Sequence, residues 1–184
     1  MGVTINRRRE MGGSNLSYAY KVEYLASTGE QWIDTDYRAY ETQCKLEVNI
    51  TTFSGGWCGA NGSLQLRCTY ANGITNALLS IERTDSSNCI TRLSDDVKEI
   101  TSYAPDNSKI ILFGLGYRNG VVANLSKYLL HKAVYKVNGN IVRDFIPVVD
   151  KQGVPAMYDK VSGQLFYNQG TGQFIAGPRV SGGQ

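Results

Sequence analysis

The sequence predicts an all-β fold, an antiparallel β-sandwich with an extended N-terminal arm. Three observations carry that expectation. Residues 44–50 alternate strictly, with Cys44, Leu46, Val48 and Ile50 on one face and Lys45, Glu47 and Asn49 on the other, the period of a half-buried strand. Short runs of the same kind then recur about every ten residues between turn formers, the rhythm of a sandwich. Asn138-Gly139 lies between two such runs, and both residues accept the positive φ that a two-residue hairpin demands.

The elements follow in order. Residues 1–18 hold Gly2, Gly12, Gly13 and Arg7-Arg8-Arg9 but few apolar side chains, so they read as an arm that cannot bury much by itself. The body spans 19–178, and 179–184 form a polar tail. Val22 and Tyr24, then Trp32-Ile33, mark two early strands around Ser27, Thr28 and Gly29. After 44–50, residues 64–70 alternate again, and 77–83, 89–93, 97–103 and 109–113 continue the series. Asn61-Gly62, Asn72-Gly73, Asp85-Ser86-Ser87 and Asp106-Asn107-Ser108 supply the turns between them. Residues 125–131 suit a helical turn or two. Strands at 128–137 and 140–148 flank Asn138-Gly139, and 156–158, 165–167 and 174–176 complete the body. No linker of Pro, Ser or charge divides it, which predicts one domain.

A chain of 184 residues with 42% hydrophobic content can bury a core without a metal or disulfide staple, so stability calls for no cofactor. Twenty Gly and twelve Tyr against four Pro fit a turn-rich set of aromatic strands. The formal net charge is +3, of which Arg7, Arg8 and Arg9 less Glu10 supply +2. The nearly neutral body argues against a nucleic-acid partner, which needs clustered Lys and Arg to displace counterions. No apolar run is long enough for a membrane helix, the opening residues lack the apolar region of a signal peptide, and Asn6 stands where a myristoylation pattern asks for Ser or Thr. No membrane partner is expected.

Cys44, Cys58, Cys68 and Cys89 show no C-x-x-C pair for zinc, and Cys44 and Cys68 fall in step with apolar neighbours; all four are expected to be buried free thiols. Four N-x-S/T sequons, at Asn15, Asn49, Asn61 and Asn124, read as chance matches in the absence of an export signal. Catalysis finds little support. A glycosidase needs two carboxylates facing one cleft; Glu47 has Asn49 and Thr51 where further acids would stand, and Asp34 and Asp36 lack a third partner. His131, the single histidine, has no companion suggesting a nucleophile relay. Gly114-Leu115-Gly116-Tyr117-Arg118-Asn119-Gly120 lacks the G-K-[ST] ending of a phosphate loop and reads as a turn. Carbohydrate binding asks only for an exposed aromatic face and a few polar partners. Trp57, in a Gly-rich turn, is the candidate for that role, whereas Trp32 is expected to pack structurally.

Two stretches are more specific. Val22-Glu23-Tyr24-Leu25-Ala26-Ser27-Thr28-Gly29-Glu30-Gln31-Trp32-Ile33-Asp34-Thr35 stands near the start. Val142-Arg143-Asp144-Phe145-Ile146-Pro147-Val148, Gly153-Val154-Pro155-Ala156-Met157-Tyr158-Asp159-Lys160-Val161-Ser162-Gly163 and Phe166-Tyr167-Asn168-Gln169-Gly170-Thr171-Gly172 stand near the end. Together they resemble the opening and closing signatures of concanavalin A-like, laminin-G-like jelly-roll domains in structural proteins of phages and prophages of gut bacteria. The resemblance covers about a third of the chain, and it implies a fold whose two ends meet in one seam. It implies a non-enzymatic virion protein, an accessory capsid decoration or head fibre, with no catalytic or metal-binding residues and no cofactor. Its partners would be other virion proteins of the capsid, portal or tail, and further copies of itself. Arg7, Arg8 and Arg9 would anchor it. The alternative is a tail module that binds a host-surface carbohydrate or receptor, with Trp57 in the contact.

Overall fold

The computed structural model describes residues 16–181. Its strands are β1 (Tyr18–Lys21), β2 (Leu25–Ala26), β3 (Ile33–Arg38), β4 (Cys44–Thr51), β5 (Trp57–Ala60), β6 (Gln65–Arg67), β7 (Ala77–Arg83), β8 (Cys89–Leu93) and β9 (Asp96–Thr101), followed by β10 (Lys109–Leu112), β11 (Leu115–Gly116), β12 (Val122–Ala123), β13 (Leu129–Val137), β14 (Asn140–Asp150), β15 (Pro155–Asp159), β16 (Gln164–Phe166) and β17 (Ile175–Ala176). A 3₁₀ turn at Cys68–Ala71 follows β6. The protein is an all-β sandwich of two sheets. The larger, of eleven strands, follows the path β16-β15-β14-β13-β4-β7-β8-β9, with β1 on β14, β2 on β13 and β17 on β2. The smaller, of six, follows β12-β11-β5-β10-β3, with β6 on β5. Pairing is antiparallel except between β11 and β5.

Period-two patterning decides which faces meet. Cys44, Leu46, Val48 and Ile50 are buried together with Leu79 and Ile81 of β7 and Ala133 and Tyr135 of β13, and they pack on Ile33, Cys58, Ile110 and Leu112 of the smaller sheet. Each fully buried aliphatic side chain contributes about 1.5–3 kcal/mol. β14 is apolar on both faces because both are covered. Phe145 and Val149 enter the main core, while Val148 joins Tyr18 and Ala156 in a second cluster outside, with Leu16, Ile146, Tyr158 and Leu165 against it. The fold therefore opens at Tyr18, whose ring meets Tyr158 edge-on at 4.9 Å.

Most predicted strands are present, and the Asn138-Gly139 hairpin forms with φ of 48° and 78°. Four local readings are corrected. Residues 125–131 make no helical turn: burial alternates through Ser126, Tyr128 and Leu130, and β13 starts at Leu129. Residues 64–70 split into β6 and the 3₁₀ turn, where the Cys68 N–H is taken by the Gly56 carbonyl at 2.9 Å. Residues 114–120 are only partly a turn, since Leu115-Gly116 is a strand lying beside β5. Trp57 stands not in the Gly-rich turn but at the start of β5, just after it.

Residues 22–35 close the sandwich in one seam with residues 168–179. β2 pairs with β17, Val22 bridges Arg179, and the Glu23 N–H donates to the Pro178 carbonyl at 2.9 Å. The buried Gln31 side chain donates to the Thr171 carbonyl at 2.9 Å and accepts the Thr28 N–H at 2.8 Å. The Asn168 side-chain oxygen accepts the N–H of Trp32 (3.1 Å) and of Gly170 (2.8 Å). Gly170 is dictated by space, because a Cβ there would lie 1.9 Å from the Glu30 carbonyl oxygen. Arg143 stitches the sheets together: its Nε donates to the Thr35 carbonyl at 3.0 Å, and its guanidinium lies 4.6 Å from the Tyr37 ring centre and 3.6 Å from the Asp159 carboxylate.

A candidate binding groove beside Trp57

The groove is built from the loop between β4 and β5 and from the segment entering β13. Thr52 Oγ1 accepts the Gly55 N–H at 3.1 Å and folds the loop back. Gly55 and Gly56 have φ of 77° and 141°; a Cβ would strike the Thr69 side chain at the first and Ser126 at the second. Only glycine fits this pinch between two walls. Ser126 then fixes the neighbouring segment, its hydroxyl accepting the Trp57 N–H at 2.8 Å and donating to the Asn124 carbonyl at 2.9 Å.

Between these walls lies an open cavity of about 380 Å³ lined by Ser54, Trp57, Asn124, Leu125 and Lys127. A second depression, of about 210 Å³, shares Ser54 and Lys127 with it and runs under Phe53 to Tyr128 and Leu129. Phe53 is 81% exposed, while Trp57 is half-buried with the Arg67 guanidinium 5.2 Å from its ring centre. Asn124 donates from its side-chain nitrogen to the Tyr117 hydroxyl at 2.9 Å. The lining thus offers aromatic surface, amide and hydroxyl groups and one ammonium, and no carboxylate lines either depression among the described residues. Such a surface suits stacking against an apolar ring face with hydrogen bonds at its margin.

The other candidates lie apart from this groove. Arg7, Arg8 and Arg9 fall outside the described residues. Glu47, on the outer face of β4, bonds Lys45 at 3.0 Å and Lys136 at 2.6 Å. Partial burial opposes its ionisation, but the hydrogen bonds from Lys136 and Lys45 prevail and hold the carboxyl below its usual range. Asp34 pairs with Lys109 and accepts the Asp36 N–H at 2.9 Å. His131 donates from Nδ1 to the Glu23 carbonyl at 3.0 Å, and its Nε2 accepts from the Thr51 hydroxyl at 2.9 Å. Burial pushes its pKa down. Trp32 packs in the seam. All four cysteines are buried free thiols; burial raises each, Cys58 to about 12, far from a reactive thiolate. No cluster of metal-ligating side chains and no helix long and apolar enough to cross a membrane occurs among the described residues.

One feature went unread in the sequence. Arg83 continues the inward series Ala77, Leu79, Ile81 and is only 1% exposed. Its guanidinium donates to the carbonyls of Glu41 (2.7 Å), Ala39 (3.0 Å) and Ala104 (3.3 Å) and to the Ser63 hydroxyl (2.6 Å), with Cys44 and Cys89 on the flanking strands. The signal was the alternation itself, which places residue 83 inside whatever its type.

Comparison with protein-family models, curated proteins and solved structures returns no match.

Proposed function

We propose that the protein is a non-catalytic structural domain of a phage particle, an accessory capsid decoration or head-fibre protein held by its N-terminal arm. The observation that supports this reading is the seam. The stretches that resemble phage jelly-roll signatures, joined by a hydrogen bond between residues 140 positions apart, close the fold as that resemblance implies. Their conspicuous polar residues, Gln31, Asn168 and Asp159, are engaged with backbone groups rather than aimed at a substrate. Three adjacent guanidiniums at Arg7, Arg8 and Arg9 suit an acidic groove on a capsid, portal or tail protein, where each can form charge-assisted bidentate bonds. Deleting residues 2–15 spares Leu16 and Tyr18, so the truncated chain folds but is missing from purified particles. Its recovery on particles at the full-length copy number would overturn the anchoring role.

The groove favours a second reading, a carbohydrate- or receptor-binding module. Screening the protein against immobilised glycans checks it. Trp57→Ala and Phe53→Ala each weaken any binding by up to about tenfold, the worth of one aromatic contact. Binding indifferent to both substitutions removes the groove from the account.

A further inference from the structure

The larger sheet ends in an edge with its own chemistry. β9 pairs with β8 on one side and terminates the strand path, so among the described residues its other side presents unpaired backbone N–H and C=O groups. Two of its side chains stand apolar in water, Val97 at 52% and Ile100 at 67% exposure. Between the pairs Thr91↔Glu99 and Arg92↔Val97 the register shifts, leaving Lys98 as an extra residue. Residues three apart on a regular strand face opposite ways; the bulge cancels this and sets Val97 and Ile100 on one face, opposite Arg92 and Ile90. Lys98 and Glu99 turn to the other face. There the Lys98 ammonium lies 3.7 Å from Asp96, and the Glu99 carboxylate accepts the Tyr70 hydroxyl at 3.0 Å.

We propose that β9 pairs antiparallel with β9 of a second copy of this chain, about a two-fold axis between Lys98 and Glu99. This register sets Val97 against Ile100 of the second copy, Lys98 against its Glu99, and Asp96 against its Thr101, and symmetry repeats every pair. Opposed residues share a face in each pair, which an unbulged strand with its axis between two residues does not allow. Apolar pairs then line one face and opposite charges the other, both stabilising as cross-strand neighbours. Moving the axis onto Lys98 opposes two ammonium groups, and moving it onto Glu99 opposes two carboxylates, so charge selects the register. One short strand covers less than the roughly 800 Å² per partner of a stable interface, which makes the dimer concentration-dependent. The proposal is independent of the function read from the seam or the groove.

Sedimentation velocity of the full chain across a micromolar concentration series tests it, with an expected shift from monomer to dimer. Lys98→Glu gathers carboxylates at the axis and abolishes the shift. Adding Glu99→Lys to that variant restores opposite charges and with them the dimer. On an otherwise unchanged chain, Val97→Cys with Ile100→Cys brings thiols within disulfide reach across the axis, and mild oxidation yields a linked dimer while the buried native cysteines stay silent. A chain that stays monomeric at the highest concentration, a dimer that survives Lys98→Glu, or a cysteine pair that does not link would each overturn the pairing.

Discussion

At the scale of single residues, Arg83 shows how a charge is kept inside a sandwich. Its two terminal nitrogens are satisfied by the ends of loops, donating to carbonyls of the segments around Ala39, Glu41 and Ala104 and to the Ser63 hydroxyl, while the buried Nε has no partner among the described residues. One side chain thereby ties together three connections that lie between strands. Arg83→Met fills similar volume but takes a donor from the buried Ala39 carbonyl and the buried Ser63 hydroxyl, each loss costing about 1–3 kcal/mol. We expect a loss of about 2–4 kcal/mol in urea unfolding. Arg83→Lys should fall between, because a single ammonium cannot span the same fan of acceptors. A wild-type midpoint for Arg83→Met would mean that the loops hold themselves. Sequence alternation puts residue 83 on the inward face, but nothing in the sequence shows which groups would receive a cation there, since the acceptors come from distant loops.

At the scale of elements, the turns were legible wherever chemistry and conformation coincide. Asn138-Gly139 was readable because two residues tolerant of positive φ stand between two alternating runs. β5 and β11 were not, because their glycines, Gly59 and Gly116, interrupt the alternation. They are there for close approach: a Cβ at Gly59 would lie 2.0 Å from the Leu64 carbonyl oxygen and one at Gly116 2.2 Å from that of Lys109. The groove shared this fate. Trp57 was visible as an aromatic beside glycines, with Phe53 in the same loop, but Asn124 and Ser126 come to it from the segment before β13, which no spacing connects to it. Two substitutions separate the two reasons for glycine. Gly139→Ala meets open space and costs about 1–2 kcal/mol through its positive φ. At Gly170 φ is not positive, yet Gly170→Ala drives a methyl into the Glu30 carbonyl and should cost more, with hydrogen exchange rising selectively at Trp32 and Gly177. Equal losses at the two sites, or uniform exchange, would contradict this division.

At the scale of the whole molecule, acid should unfold the protein in two stages. The folded pKa of His131 is depressed, so the unfolded chain takes up the proton first and stability declines as pH falls below about 6.5. Asp159 is also depressed: its complete burial raises it, but the Asp144 N–H, the Ser162 hydroxyl and the N–H groups of Val161 and Ser162 outweigh that. Glu47 follows the same sign. Their contribution is intact above about pH 4 and is lost as pH drops through their folded values. Melting temperature against pH should fall gently from 6.5 and steeply below 4, and His131→Gln should flatten only the first part. A profile flat from pH 8 to pH 4 in both proteins would exclude the histidine's contribution.

The seam also fixes how the domain carries tension. Val180 bonds to Lys21, Pro178 to Glu23 and Gly177 to Tyr24 in succession, so residues 177–180 are zipped along residues 21–24 at one corner, where the chain before Lys21 is held in turn as β1 on β14. A pull through both ends loads these rungs one after another, like the teeth of a zipper, rather than all together in shear. The corner gives way first and at low force. The same pull loads β1 against β14 from the other end, while the strands of the main core stay paired, so the sandwich yields at its margin and can close again before that core is touched.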